Sequence, residues 1–171
     1  DDLIASAVSK KSGDENDLLI VSSDKDLSQL VSPNVKQLLP PPTANPKLGW
    51  RLLDESGVGD KFGVSPAGIL DYLSIIGDQS DNIPGLIGVG PKTALKWMDT
   101  YGCLEGIIEN AGRLTPKRFC SLVYEKRLDL LRNRELIRLE SDLEFEMTDC
   151  PAVNLDEMKE IMLELEMSKS W

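Results

Sequence analysis

The sequence predicts an α/β fold that gives way to a helical second half, and three observations carry that expectation. Helix-like and strand-like periods alternate at the start of the chain, in the order helix, strand, helix, strand. The run Leu18 to Ser23, LLIVSS, is short and continuously apolar, the pattern of a strand covered on both faces. Further on, Ser65-Pro66, Gly90-Pro91 and Thr115-Pro116 each place a proline at a helix start ahead of an apolar stripe.

Each element has its own signal. Asp1 to about Lys11 carries Leu3, Ile4, Ala7 and Val8 at helical spacing, behind two acids that suit a helix N-terminus. KSGDEND is a polar loop before the strand, and DKDLSQLV after it reads as a second helix. NVKQLL is a further strand, parallel to the first and stopped by Pro40, Pro41 and Pro42; Thr43 to Gly49 is a loop. This order places Asp24 and Asp26 at the carboxyl end of a central strand, where open α/β sheets build their sites. Beyond a boundary near residues 60–65 the chain reads as wholly helical. Ile69, Leu70, Leu73 and Ile76 mark one helix, KTALKWM another, and Phe119, Leu122 and Val123 a long third. In the acidic tail, Leu155 to Glu166 forms a last helix, with Asn154 as its cap and Glu157 in the capping-box position.

Composition narrows the function classes. The 171 residues suffice for one good core or two small ones. No apolar run approaches the roughly 20 residues of a membrane span, and no signal peptide is expected ahead of the first residue. With no histidine, and Cys103, Cys120 and Cys150 widely spaced, a zinc site is excluded, and the cysteines read as reduced thiols of a cytoplasmic protein. The net charge of −10 argues at first against a nucleic-acid partner. Its distribution argues otherwise. Residues 86–138 hold 10 Lys and Arg against 6 Asp and Glu, whereas residues 1–85 hold 7 against 13 and residues 139–171 hold 2 against 10. A basic middle between acidic ends is a localised footprint for phosphate.

Two constellations carry chemistry. Six aspartates fall in three pairs, Asp1/Asp2, Asp24/Asp26 and Asp78/Asp81, each at a junction between elements. Converging carboxylates repel unless cations neutralise them, and an all-oxygen donor set suits Mg²⁺ or Mn²⁺. Each pair has a plainer use as well: Asp-x-Asp after a strand serves as a cap or turn, and Asp81-Asn82 suits an Asx turn. Asp24-Lys25-Asp26 is not followed by Thr or Val, which weakens a reading as an aspartyl-nucleophile phosphatase. The second constellation is GLIGVGPKTA. Gly88 and Gly90 allow positive φ and close backbone approach, and Pro91 opens a helix whose Lys92 and Thr93 amides are free to meet an anion. Lys92 adds charge and Thr93 a hydroxyl, the pattern of a helix-hairpin-helix motif that holds a DNA phosphate without reading sequence. A glycine-rich helix start with an incidental lysine is the alternative.

SSDKDLSQLV, GDQSDNIPG and GVGPKTALK, in this order and spacing, resemble the bacterial 5′-3′ exonuclease and flap endonuclease family. That family includes the nuclease domain of DNA polymerase I and its stand-alone relatives. DDLIAS and YGCLEGIIEN extend the resemblance from Asp1 to about Glu140. It implies the C-terminal part of a PIN-like α/β nuclease core over 1–62, a helical helix-three-turn-helix subdomain over 63–140, and an acidic helical tail over 141–171. The implied reaction is two-metal phosphodiester hydrolysis at a 5′ end or flap of duplex DNA, sequence-independent, in replication and repair. The implied metal ligands are Asp1, Asp2 and Asp24 near one ion and Asp26, Asp78 and Asp81 near the other, with Asp24, Asp26, Asp78 and Asp81 catalytic. Gly88, Gly90, Lys92, Thr93 and Lys96 would meet DNA, and the Leu86 and Val89 carbonyls would hold K⁺. A monomer working with an attached or cooperating polymerase is implied. Family members carry another metal-binding aspartate, a basic arch and a glutamate ahead of the Asp1 position, so these 171 residues by themselves are expected to cleave poorly. The alternative is a module that binds DNA through the hairpin without cleaving it.

Overall fold

The computed structural model describes residues 1–12, 17–146 and 154–166. Part of the polar loop before the first strand, parts of the acidic tail, and Cys150 lie outside them. Helix α1 spans Asp2–Lys11, and strands β1 (Leu18–Val21), β2 (Val35–Leu39) and β3 (Arg51–Leu53) form a sheet in that order. β1 and β2 are parallel, as expected, with Leu18 opposite Val35; β3 returns antiparallel, with Leu53 opposite Gln37.

Three expectations for this half need correction. Among the described residues β1 lies at the edge of the sheet, not at its centre, so Asp24 and Asp26 follow an edge strand. It buries Ile20 but leaves Leu19 54% and Val21 59% exposed, because no described element covers that side. Leu3, Ile4, Ala7 and Val8 of α1 face the same open apolar groove, of about 400 Å³. The helix expected in DKDLSQLV is a 3₁₀ turn over Asp26–Leu30. Ser22 Oγ and Asp24 Oδ1 accept the amides of Asp24 and Asp26, local bonds that compete with α-helix, and Pro33 bars continuation.

β3 and helix α2 (Glu55–Phe62) give no clear sequence pattern. Three residues are too few for alternation, and Gly57 and Gly59 weaken the helix. α2 is held at its ends instead: Asp54 Oδ1 accepts the Gly57 amide at 2.8 Å, and Gly63 closes it at φ 80°.

The second half has helices α3 (Ile69–Ile76), α4 (Pro91–Tyr101), α5 (Leu104–Glu109), α6 (Cys120–Ile137) and α7 (Leu155–Glu164). It is not wholly helical. Between α3 and α4 lies a short antiparallel hairpin, β4 (Gly77–Asp78) and β5 (Ile83–Pro84). At Ser65-Pro66 and Thr115-Pro116 the prolines lead into 3₁₀ turns, Pro66–Gly68 and Lys117–Phe119, with α3 and α6 starting after them. Asn154 caps α7 as expected, its Oδ1 accepting the Asp156 and Glu157 amides. Cys103 and Cys120 are free thiols, and no helix among the described residues is long and apolar enough to cross a membrane.

One apolar cluster joins Leu39, Leu53 and Val58 to Ile69, Leu73, Trp97, Leu104, Val123 and Leu130; a smaller one holds Ile20, Leu27 and Val35. Polar ties fix the helices further. Arg134 of α6 pairs with Glu105 of α5, and Asp71 of α3 accepts the Leu104 amide. Beyond α6 the chain returns to α1: Ser6 Oγ donates to the Glu140 carbonyl and accepts the Leu143 amide, and Lys10 sits over the Phe145 ring.

Asn133, buried on α6, donates from Nδ2 to the Ser74 carbonyl at 3.3 Å and the Pro84 carbonyl at 2.8 Å, pinning α3 and β5 to the long helix. Asn133→Leu strands both carbonyls and should cost about 1–3 kcal/mol. Chemical denaturation checks this; an unchanged midpoint would show that the pin carries no stability.

Candidate metal centre and phosphate hairpin

The carboxylates of Asp26, Asp78 and Asp81 each offer an oxygen within 4.8 Å of the others, and among the described residues no other acidic group of three does so. Asp26 and Asp78 are buried and Asp81 is exposed, so the trio runs from the interior to the surface. Two separate devices bring it together.

The first positions Asp26. Gln37, fully buried on β2, donates from Nε2 to the Ser22 and Asp24 carbonyls, and its Oε1 accepts from Ser28 Oγ at 2.7 Å. The turn after β1 is thereby tied to the neighbouring strand, and Asp24 Oδ1 accepts the Asp26 amide at 3.0 Å. The second device positions Asp78 and Asp81 through the β4/β5 hairpin. Gly77 has φ 79°, and a Cβ there would run into the Gly85 amide; a Cβ on Gly85 would strike the Ile76 carbonyl. The hairpin closes only with glycine at both places. Asp78 Oδ1 then accepts both the amide (2.8 Å) and the hydroxyl (2.6 Å) of Ser80, which turns the chain so that Asp81 faces back.

The electrostatics are lopsided. Burial, then the charges of Asp24 and Asp78, push the Asp26 carboxyl from 3.8 up to about 6, with Lys25 opposing. Burial also opposes ionisation of Asp78, but hydrogen bonds from Lys25 and Ser80 outweigh it and hold that carboxyl below its ordinary range. Lys25 Nζ lies 2.5 Å from Asp78 Oδ1 and 3.1 Å from Ser80 Oγ. Asp26 Oδ1 is buried without a hydrogen-bond partner among the described residues. An orphaned carboxylate oxygen among converging acids, in a chain with no histidine, fits a hard divalent cation.

The other expected ligands are not among these three. Asp24 lines the open cleft of about 460 Å³ beside it, with Ser22, Ser23, Lys25, Ser80 and Asp81. Asp1 is the N-cap residue of α1, and Asp2 Oδ1 accepts the Glu140 amide at 3.0 Å. Gln37, Lys25 and Ser80 were not singled out from sequence. Gln37 carried a usable signal, a polar residue in phase with the buried Val35 and Leu39 of β2.

The hairpin expected to meet phosphate follows directly on β5. The Leu86 amide donates to the Ile75 carbonyl at 2.9 Å and the Val89 amide to the Leu86 carbonyl at 3.0 Å. Leu86 and Val89 are buried, while Ile87, 83% exposed, stands at the tip with Gly88 at φ 78°. Gly90 differs from expectation: it is the N-cap of α4 at φ −103°, an ordinary conformation. Thr93 differs too, since its amide already donates to the Gly90 carbonyl at 3.0 Å; the free amide of this first turn is that of Lys92. Lys92 and Lys96, one turn apart on α4, are both exposed.

A cation-free centre with these charges predicts a stability trade. A carboxyl raised above its unfolded value favours folding below pH 4 and loses that contribution as pH rises to about 6. In EDTA at pH 8, Asp26→Asn should therefore be the more stable protein, by up to about 3 kcal/mol, with the difference vanishing near pH 4. Thermal unfolding across that range checks this; a less stable Asn variant at pH 8 contradicts it.

Comparison with known proteins supplies the family. The model described as 5′-3′ exonuclease, C-terminal SAM fold, matches residues 64–160, reaching beyond the Glu140 limit expected from the motifs. A 5′-3′ exonuclease of Aquifex aeolicus is 36% identical over 171 residues, 98% of this chain and 55% of that protein. DNA polymerase I of Deinococcus radiodurans is 37% identical over 88% of this chain and 14% of its own length. Among solved structures, T5 5′-exonuclease with divalent metal ions (zinc) bound aligns at a TM-score of 0.70 and 21% identity, over 81% of this chain and 49% of that one. The catalytic core of Rad2 in complex with DNA substrate aligns at 0.52 and 18% identity, over 84% of this chain and 49% of that one. Those structural likenesses establish the fold. The chain thus spans about half of the Aquifex protein, and by the match over residues 64–160 it belongs to the 5′-3′ exonuclease family.

Proposed function

We propose that this chain is the metal-binding and duplex-gripping part of a structure-specific 5′ nuclease that hydrolyses phosphodiesters at a 5′ end or flap of DNA. The observation that carries this reading is the trio of Asp26, Asp78 and Asp81 joined, through a glycine-closed turn, to a hairpin with a free amide and two exposed lysines.

Asp26, Asp78 and Asp81 would hold one Mg²⁺ or Mn²⁺, and Asp24 on the open cleft, together with Asp1 and Asp2, would hold a second. When bound, two such ions supply an activated water and stabilise the leaving oxygen. The protein's own part is placement. Gln37 and the Gly77/Gly85 closure fix the acids before any substrate arrives, so no reorganisation is needed during reaction. The Lys92 amide at the α4 N-terminus, the Thr93 hydroxyl, and the Lys92 and Lys96 ammonium groups would hold a backbone phosphate, with Gly88 and Gly90 letting the strand come close. The Leu86 and Val89 carbonyls would hold K⁺ there. All these contacts ignore base identity, which suits a substrate defined by shape. Because a relative is named DNA polymerase I, a working partnership with an attached or cooperating polymerase, by a monomer acting in the cytoplasm, is part of this reading.

Two substitutions separate the halves of this proposal. In the full-length protein with a labelled 5′-flap duplex, Asp78→Ala should abolish cleavage in Mg²⁺ yet keep DNA binding in Ca²⁺. Lys92→Ala should weaken binding and reduce the salt slope by about one phosphate contact. Cleavage surviving the first, or binding indifferent to the second, would sink the corresponding assignment.

A further inference from the structure

We propose that the Lys25 ammonium is the resident counter-ion of the carboxylate trio and leaves Asp78 when a divalent cation binds, so that it sets the affinity of the centre for metal. This rests on the metal reading above and concerns how that site is kept between binding events.

The geometry is specific to Lys25. Its Nζ shares Asp78 Oδ1 with the amide and hydroxyl of Ser80, so one carboxylate oxygen carries three donors. The two Ser80 bonds are closed within a tight turn. The Lys25 bond comes from another element altogether, at the end of a long side chain that is 31% exposed. Of the three, the ammonium is the donor that can withdraw without unfolding the hairpin. A reason to withdraw is also present. A dication held by Asp78 and its neighbours would stand a few ångströms from the ammonium, in a place shielded from water, where two cations repel strongly. A reason to stay when no metal is bound is equally plain. Asp78 is 3% exposed and faces Asp26 and Asp81, and an unpaired buried carboxylate is costly. Lys25 also lines both clefts that flank the trio, one with Asp24 and Asp81, the other with Tyr72, Gly77 and Asp78. A released ammonium therefore has open space on either side.

Two measurements on the full-length protein without DNA test this. Lysine acylation followed by mass spectrometry, with and without saturating Mn²⁺, should show Lys25 labelled several-fold faster in Mn²⁺, with Lys92 as the exposed reference. Calorimetric Mn²⁺ titration of Lys25→Met, which keeps the aliphatic stem, should show roughly ten-fold tighter binding. Lys25→Arg, with a cation still in reach of Asp78, should return the affinity to that of the wild type. Equal Lys25 protection with and without Mn²⁺, in a wild type that binds the ion, overturns the displacement while leaving the metal centre standing. A wild type that binds no Mn²⁺ overturns the metal centre and this inference with it.

Discussion

Asp26 and Asp78 are buried against each other, with Asp81 closing the group from the surface, and the structure around them follows from that constraint. Like charges in a poorly hydrated place repel, so they stay together only if the backbone leaves them no alternative or a cation offsets them. Both solutions are present. Gln37 ties the turn carrying Asp24 and Asp26 to β2, and the facing glycines 77 and 85 force the return that carries Asp78 and Asp81. Lys25 supplies positive charge to Asp78, while Asp26 Oδ1 has no hydrogen-bond partner among the described residues. Burying converging acids breaks a local rule, and on the proposed reading a bound cation would offset that cost.

The same backbone extends the constraint outward. Asn133 holds Pro84 at the end of the turn that carries Asp78 and Asp81, and the Leu86 amide is bonded to the Ile75 carbonyl of α3. The helix start at Lys92 is therefore anchored to the packing that anchors the acids. On the proposed reading, a duplex gripped at the hairpin would lie at a fixed offset from the trio, and shape rather than sequence would select the bond to be cut.

The grouping of these acids was more legible in the sequence than several of the elements around them. Asp24/Asp26 and Asp78/Asp81 stood out because acids at element junctions are unusual, and Gly90-Pro91-Lys92 because a helix start has a strong local pattern. Tertiary context decided the rest. LLIVSS could not reveal that β1 lies at an edge, since an apolar run looks the same wherever its neighbours are. The helix expected in DKDLSQLV lost to side-chain bonds from Ser22 and Asp24. β3, α2 and the β4/β5 hairpin are too short or too rich in glycine for a period to show. Thr93 looked free because its bond to the Gly90 carbonyl forms only once the first turn is wound.

The central claim is that the buried acids form a seat for a hard cation. It is tested most directly by anomalous diffraction from crystals of the full-length protein grown with Mn²⁺. The account predicts an ion bonded to oxygens of Asp26, Asp78 and Asp81 at about 2.1 Å, with Lys25 withdrawn from Asp78. Saturating Mn²⁺ with no ion in the trio, and Lys25 still bonded to Asp78, would contradict it.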